Sequence, residues 1–297
     1  MSTQQQAQSN LRGITFMLIA MCFFIVGDAV TKAVGARLPV GEVIFLRSLS
    51  ATLVLLPFVI GIAPLTMLRD SYSLPMLIRN IGEVAGSLLF VTSLVRIPIA
   101  NATAIMQTTP LMITATAALF LGEPVGWRRW TATIVGFFGA LLIIRPTSPD
   151  FSWWYHPAIL AIGCVTMRDL GTRYIDKAVP TKLIAFLTFV LTGAGGLLLG
   201  LTESWIMPSG IDALRLLGTG VVHAIGASCM VIALRSGGEI STIIPFRYSI
   251  VLWSIIIGYV FWGELPHPTS ILGILIVVGA GIYTVHREQV RRRSAKA

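Results

Sequence analysis

Apolar residues along this chain come in runs of about 15 to 23, close to the roughly 20 an α-helix needs to cross a bilayer core. Ten membrane-spanning helices are predicted. Five lie in the first half, at 13–34, 41–62, 74–95, 100–121 and 130–144, and five in the second, at 155–175, 183–202, 213–234, 240–262 and 270–285. The connections, among them Pro39-Val40-Gly41, Pro98, 146–149 and 208–210, are too short to hold a soluble domain. Trp127, Trp130, Trp153, Trp154, Tyr155, Trp205 and Trp262 gather at the predicted ends, as an aromatic belt would. The polar start at 1–10 leads through Arg12 into a run that continues past Val26 without a small-residue cleavage site, so an uncleaved first helix is expected.

Composition agrees with the pattern. The chain of 297 residues is 55% apolar and 12% charged, about half the roughly 25% charge of a soluble domain, and its mean hydropathy is +0.82. Such a chain is an all-α integral membrane protein, apolar outside as well as inside. Its net charge of +9 does not point to nucleic acid, because no folded basic face exists to meet phosphates. Five basic residues, Arg287, Arg291, Arg292, Arg293 and Lys296, crowd the C-terminal tail, where they suit anionic lipid headgroups. With the N-terminus cytoplasmic, Arg12, Arg69, Arg128, Arg129, Arg173, Lys177, Lys182 and Arg235 fall inside, against Arg37, Arg96, Arg145 and Arg215 outside. The positive-inside rule therefore predicts that both termini are cytoplasmic.

The two halves echo each other. Phe120-Leu121-Gly122-Glu123-Pro124 closes one apolar run, and Phe261-Trp262-Gly263-Glu264-Leu265-Pro266 closes its counterpart. Ile99-Ala100-Asn101-Ala102 likewise matches Ile240-Ser241-Thr242-Ile243. A five-helix unit copied in sequence must invert in the bilayer, and inverted repeats mark alternating-access carriers. The expected organisation is a tail at 1–12, a first repeat at 13–146, a second and inverted repeat at 147–287, and a basic cytoplasmic tail at 288–297. Glu123 and Glu264 are expected to be structural, each capping the helix that follows and fixing its turn.

On Leu121-Gly122-Glu123, Trp262-Gly263-Glu264 and the Ala100-Asn101-Ala102 start of the fourth segment, the chain resembles the drug/metabolite transporter superfamily, in particular its EamA-type members with two five-helix repeats. Met21, Phe24, Asp28 and Lys32, followed by Phe45-Leu46-Arg47-Ser48, resemble bacterial metabolite and amino-acid carriers of that group. The resemblance implies a central cavity between the repeats, a small-molecule substrate moved without ATP, and a place in the bacterial inner membrane. Monomer and homodimer both stay open.

Charges inside a membrane helix cost about 2.5 to 3.5 kcal/mol each by the lower estimates, and they persist where they are paired or face water. The candidates for cavity and substrate contacts are Asp28, Lys32, Arg47, Arg79, Glu83, Gln107, Arg168, Asp169, Arg247 and Tyr248. Asp28 and Lys32 stand four apart, either as an ion pair along one helix or as a cavity-facing pair. Arg79 and Glu83 repeat the spacing, with Gly82 and Gly86 forming a close-packing stripe beside them. Pro245 is expected to kink the ninth segment, and Gln107, Thr108 and Pro110 to break the fourth. Lys32, Arg47, Arg79, Arg168 and Arg247 outnumber Asp28, Glu83 and Asp169 by two. That excess favours a zwitterionic or anionic cargo, with an amino acid the leading case, since arginine forks match carboxylates. Asp28, Glu83 and His223 are the candidates for proton coupling.

Other classes fare worse. There is no H-E-x-x-H, G-x-S-x-G or phosphate-binding G-x-x-x-x-G-K-[ST], so no metal, cofactor, ATP or enzymatic centre is expected. Cys22, Cys164 and Cys229 all lie within apolar runs and form no C-x-x-C. A passive channel would need rings of like residues in a symmetric oligomer, which an asymmetric internal repeat does not supply.

Overall fold

The protein is seen in a computed structural model that describes residues 3–60, 73–122, 125–149, 151–176, 179–234, 236 and 240–294. Among them the chain is helical and has no strand. The helices are α1 (Thr3–Gly35), α2 (Val40–Ile60), α3 (Leu74–Leu94), α4 (Ile99–Met106), α5 (Thr109–Phe120), α6 (Trp127–Ile144), α7 (Tyr155–Arg173), α8 (Thr181–Gly200), α9 (Gly210–Leu234), α10 (Ile240–Ile243), a 3-10 turn (Ile244–Tyr248), α11 (Ser249–Trp262) and α12 (Pro268–Ser294). Eight stretches among the described residues are long and apolar enough to cross a membrane by themselves. The other two of the ten expected spans are helices too. They are α6, which opens with Arg128-Arg129, and α7, which carries Arg168, Asp169 and Arg173. Both pack lengthwise against a span, α6 on α12 and α7 on α3.

Local chemistry accounts for both interruptions. Pro110 has no N–H to give to the Met106 carbonyl, and the Thr109 hydroxyl donates to that carbonyl at 2.6 Å, so the helix breaks between α4 and α5. Pro245 coincides with the 3-10 turn ahead of α11.

The described structure divides into two compact units, and these are not the two sequence halves. One comprises Met1–Val26, Pro98–Trp153 and Ile225–Ala297; the other comprises Gly27–Ile97 and Trp154–Ala224. Each draws helices from both halves. In the first unit α4 packs on α11 and α6 on α12; in the second α2 packs on α8 and α3 on α7. Met17, Ala20, Met21, Ala233 and Ile243 form a core in the first. In the second, Val34, Leu38, Val43 and Leu216 form one core, and Val40, Ile44 and Val91 another.

Small residues set these contacts. A Cβ on Gly196 would lie 2.7 Å from the Phe45 nitrogen and 2.9 Å from the Gly41 oxygen, so the α2 and α8 backbones touch. The same junction is tied by carboxylates: Gly41 N–H donates to Glu203 Oε2 at 2.8 Å, and Ile206 N–H donates to Glu42 Oε2 at 3.0 Å.

Glu264 corrects its expectation. Its Oε2 accepts the Ile99 N–H at 3.1 Å, at the start of α4 rather than of the helix expected from the sequence. Pro98 precedes that helix and offers no capping side chain, so the exposed donors at its positive end take a carboxylate from the second half of the chain. Gly263 ends α11 at φ 65°, and the Glu264 N–H bonds back to the Gly258 carbonyl at 3.1 Å. The Gly-Glu pair is therefore a helix stop followed by a long-range cap. Glu123 lies outside the described residues, as do Arg69, Lys177, Arg235 and Lys296 of the topology count.

Candidate functional site

Most of the charged candidates fall in the unit formed by Gly27–Ile97 and Trp154–Ala224. Its organiser is the contact between α3 and α7. A Cβ on Gly82 would sit 2.5 Å from the Cys164 oxygen and 2.7 Å from the Arg168 nitrogen, and one on Gly171 would sit 2.9 Å from the Arg79 nitrogen. The two backbones therefore meet beside the charges they carry. Arg168 Nη1 donates to Glu83 Oε2 at 3.3 Å, and its Nε donates to Asp169 Oδ1 at 2.8 Å. Ser87 Oγ adds a bond to Glu83 Oε1 at 3.4 Å. Arg168 is thus answered by two carboxylates, its side chain 25% exposed against 17% for Glu83 and 36% for Asp169.

Arg79 does not pair with Glu83 as the spacing allows. It is buried, and its Nη1 donates to Asn80 Oδ1 at 3.0 Å and to Thr188 Oγ1 of α8 at 2.7 Å. Lys32 is drawn to the end of its helix, where Nζ donates to the Ile97 carbonyl at 2.7 Å. The i,i+4 ion pair between Asp28 and Lys32 is therefore not formed among the described residues.

Asp28 interacts electrostatically with Arg47 of α2 instead, and Arg47 in turn with Glu83 and His223. Asp28 and Arg47 are both half-buried, and among the described residues neither makes a hydrogen bond or a direct ion pair. They are opposite charges within reach of each other and without a direct contact between them. His223 lies against α1 because Gly27 has no side chain: a Cβ there would come 2.7 Å from its Nδ1. That nitrogen is 2.9 Å from the Thr219 carbonyl, which can only accept, so Nδ1 carries the proton.

The positive excess counted from sequence shrinks here. Arg247 is exposed in the 3-10 turn of the other unit, and Lys32 is held by a carbonyl. A neutral carbonyl does not cancel the Lys32 charge, so Lys32, Arg47, Arg79 and Arg168 stand against Asp28, Glu83 and Asp169, an excess of one. Gln107, Tyr248 and Glu264 also belong to the other unit. Gln107 sits half-buried at the break between α4 and α5. Tyr248 is buried with no partner for its hydroxyl among the described residues, and its ring fills the space left by Gly281.

The family model described as EamA-like transporter family matches residues 11–145. The first half of the chain thus carries an EamA-type domain. Relatives named as transporters of small molecules match the chain over nearly its whole length. It is 26% identical over 285 residues to a protein of Rickettsia prowazekii called S-adenosylmethionine uptake transporter, covering 95% of each. It is 28% identical over 276 residues to the riboflavin transporter of Vibrio cholerae, covering 90% of this chain and 91% of that one. It is 27% identical over 278 residues to the pseudopaline exporter of Pseudomonas aeruginosa, covering 91% and 94%. These are transporters by name and not enzymes. A solved crystal structure shares the fold with a TM-score of 0.59 and 19% identity, covering 97% of this chain and 99% of its own.

Sequence reasoning missed Asn80, Ser87 and Thr188, the neutral partners that hold Arg79 and Glu83. Glu42 and Glu203 were missed as well, although a glutamate at a predicted helix end in an otherwise apolar chain is a signal that could have found them.

Proposed function

We propose that the protein is a secondary carrier for a zwitterionic metabolite of the amino-acid type, with Asp28 facing the cargo's ammonium and Arg47 its carboxylate. One observation carries this reading: Asp28 and Arg47 are the opposite charges of the cluster left without direct partners among the described residues, while Arg168 is saturated by Glu83 and Asp169. A charge left unpaired in a membrane interior is costly unless a ligand or water meets it. S-adenosylmethionine, the cargo in the name of the rickettsial relatives, ends in the same ammonium and carboxylate.

The carrier works by alternating access between inverted repeats at 13–146 and 147–287. Two observations support this: the family model spans a single unit, 11–145, and equivalent helices of the two halves pack on one another, α2 on α8, α4 on α11 and α6 on α12. Asp28 is the coupling carboxylate, because Glu83 is committed to Arg168. The protein sits in the bacterial inner membrane with both termini cytoplasmic, as the excess of Lys and Arg in the inner connections supports.

The test is counterflow in proteoliposomes across matched cationic, zwitterionic and anionic solutes, with pH gradients of either sense. Zwitterions should exchange fastest. Exchange of cations alone, or of an uncharged flavin with no zwitterion exchanged, would overturn the assignment.

A further inference from the structure

The end of α6, in the unit that holds Pro98–Trp153, combines a groove with an unusual backbone. A groove of about 540 Å³, within the roughly 300–1,000 Å³ usual for ligand sites, is lined by Phe138, Leu141, Leu142, Arg145, Thr147 and Thr269, among others. Its wall is apolar: Phe138 is 62% and Leu141 50% exposed on a helix whose apolar stretch runs through the membrane. Its head is polar, where α6 ends and α12 begins.

The backbone at that head is unusual. Three described residues have positive φ. Two are Gly122 and Gly263, which suit the left-handed region; the third is Arg145, at φ 53° and ψ 58°. Glycine would fill this helix end at lower cost, yet a long cation occupies it. Its backbone is fixed from both sides, the N–H bonding the Leu141 carbonyl at 2.9 Å and the carbonyl accepting the Ser148 N–H at 3.0 Å. Strain held this way points to a side chain that is needed. Among the described residues the guanidinium has neither hydrogen bond nor ion pair, although it sits at the head of an apolar groove.

We infer that this groove is a binding site for an anionic glycerophospholipid, its phosphate on Arg145 with the Thr147 hydroxyl beside it, and its acyl chains along Phe138 and Leu141. Charge complementarity at the head and an apolar wall below it select a lipid over a soluble anion, which would leave the wall uncovered. Phosphatidylcholine carries the same phosphate, but its choline cation would stand near the Arg145 guanidinium, so a headgroup without that second charge is favoured.

The test is native mass spectrometry of the full chain after reconstitution in phosphatidylcholine with increasing phosphatidylglycerol, run in parallel with thermal unfolding. Wild type and Arg145→Lys should retain phosphatidylglycerol over phosphatidylcholine. Arg145→Ala and Arg145→Gly should lose that preference by about fivefold, the usual contribution of one basic residue at a charged surface. Arg145→Gly should unfold no earlier than wild type, which separates loss of lipid from loss of fold. The inference is overturned if Arg145→Gly keeps the preference, if wild type holds both lipids equally, or if glycerol phosphate protects as well as the whole lipid.

Discussion

Gly82 is where the fold and the charge cluster meet, and replacing it with alanine tests both. The added Cβ would stand 2.5 Å from the Cys164 oxygen, about 0.9 Å short of the 3.4 Å at which ordinary contact begins. The obstacle is α7 backbone, not a movable side chain, so α3 and α7 must separate by nearly that amount. Arg168 Nη1 and Glu83 Oε2, now 3.3 Å apart, would then lie beyond hydrogen-bond range. Overpacking of this kind costs about 1–3 kcal/mol. The weakened ion pair, partly exposed on both sides, adds at most about 1 kcal/mol. Gly82→Ala should therefore lose about 1–4 kcal/mol.

Two neighbours on the same helix pair grade the effect. A Cβ on Gly86 would meet the movable Val165 Cγ2 at 3.1 Å, so Gly86→Ala should cost less than about 1 kcal/mol. Nothing stands within 4 Å of a Cβ on Gly163, so Gly163→Ala should be neutral or stabilise by up to about 1 kcal/mol through helix propensity. Thermal unfolding in one detergent, with the three variants side by side, reads the series. If Gly82→Ala melts with wild type, or the three variants fall together, the α3–α7 packing described here is wrong.

Two further outcomes follow from named contacts. Arg168→Met strands Glu83 and Asp169 and should cost about 1–3 kcal/mol, while Glu83→Gln with Arg168→Met should recover part of that loss. A double-mutant cycle that shows no coupling would remove the ion pair from the account. Glu264→Ala takes the cap from α4 and should lower stability by about 0.5–2 kcal/mol, with Glu264→Gln milder in the same unfolding assay; equal and unchanged midpoints would count against the cap.

The spans and their breaks were legible in the sequence because their causes are local. Apolar runs of bilayer length give helices, and Pro110 and Pro245 disturb them by lacking a backbone donor. The charge partners were not legible. Spacing along one helix suggested Asp28 with Lys32 and Arg79 with Glu83, but the structure turns Asp28 to Arg47, Lys32 to Ile97, Arg79 to Thr188 and Glu83 to Arg168. Those choices depend on how closely and in what register helices meet. That is decided by glycines such as Gly82, Gly171 and Gly196, whose effect lies across the interface rather than along the chain. The same reason hid the division into units that mix the two halves, and the capping of α4 by a glutamate far along the chain.

The central claim is that Asp28 and Arg47 divide a zwitterion between them. The most direct measurement is competition for counterflow by paired analogues, one lacking the ammonium and one lacking the carboxylate, in wild type, Asp28→Asn and Arg47→Gln proteoliposomes. Asp28→Asn should lose the discrimination against the analogue without an ammonium, and Arg47→Gln the discrimination against the analogue without a carboxylate, each by on the order of tenfold for one charge-assisted hydrogen bond. If both variants weaken both analogues alike, or neither changes the ranking, the site lies elsewhere.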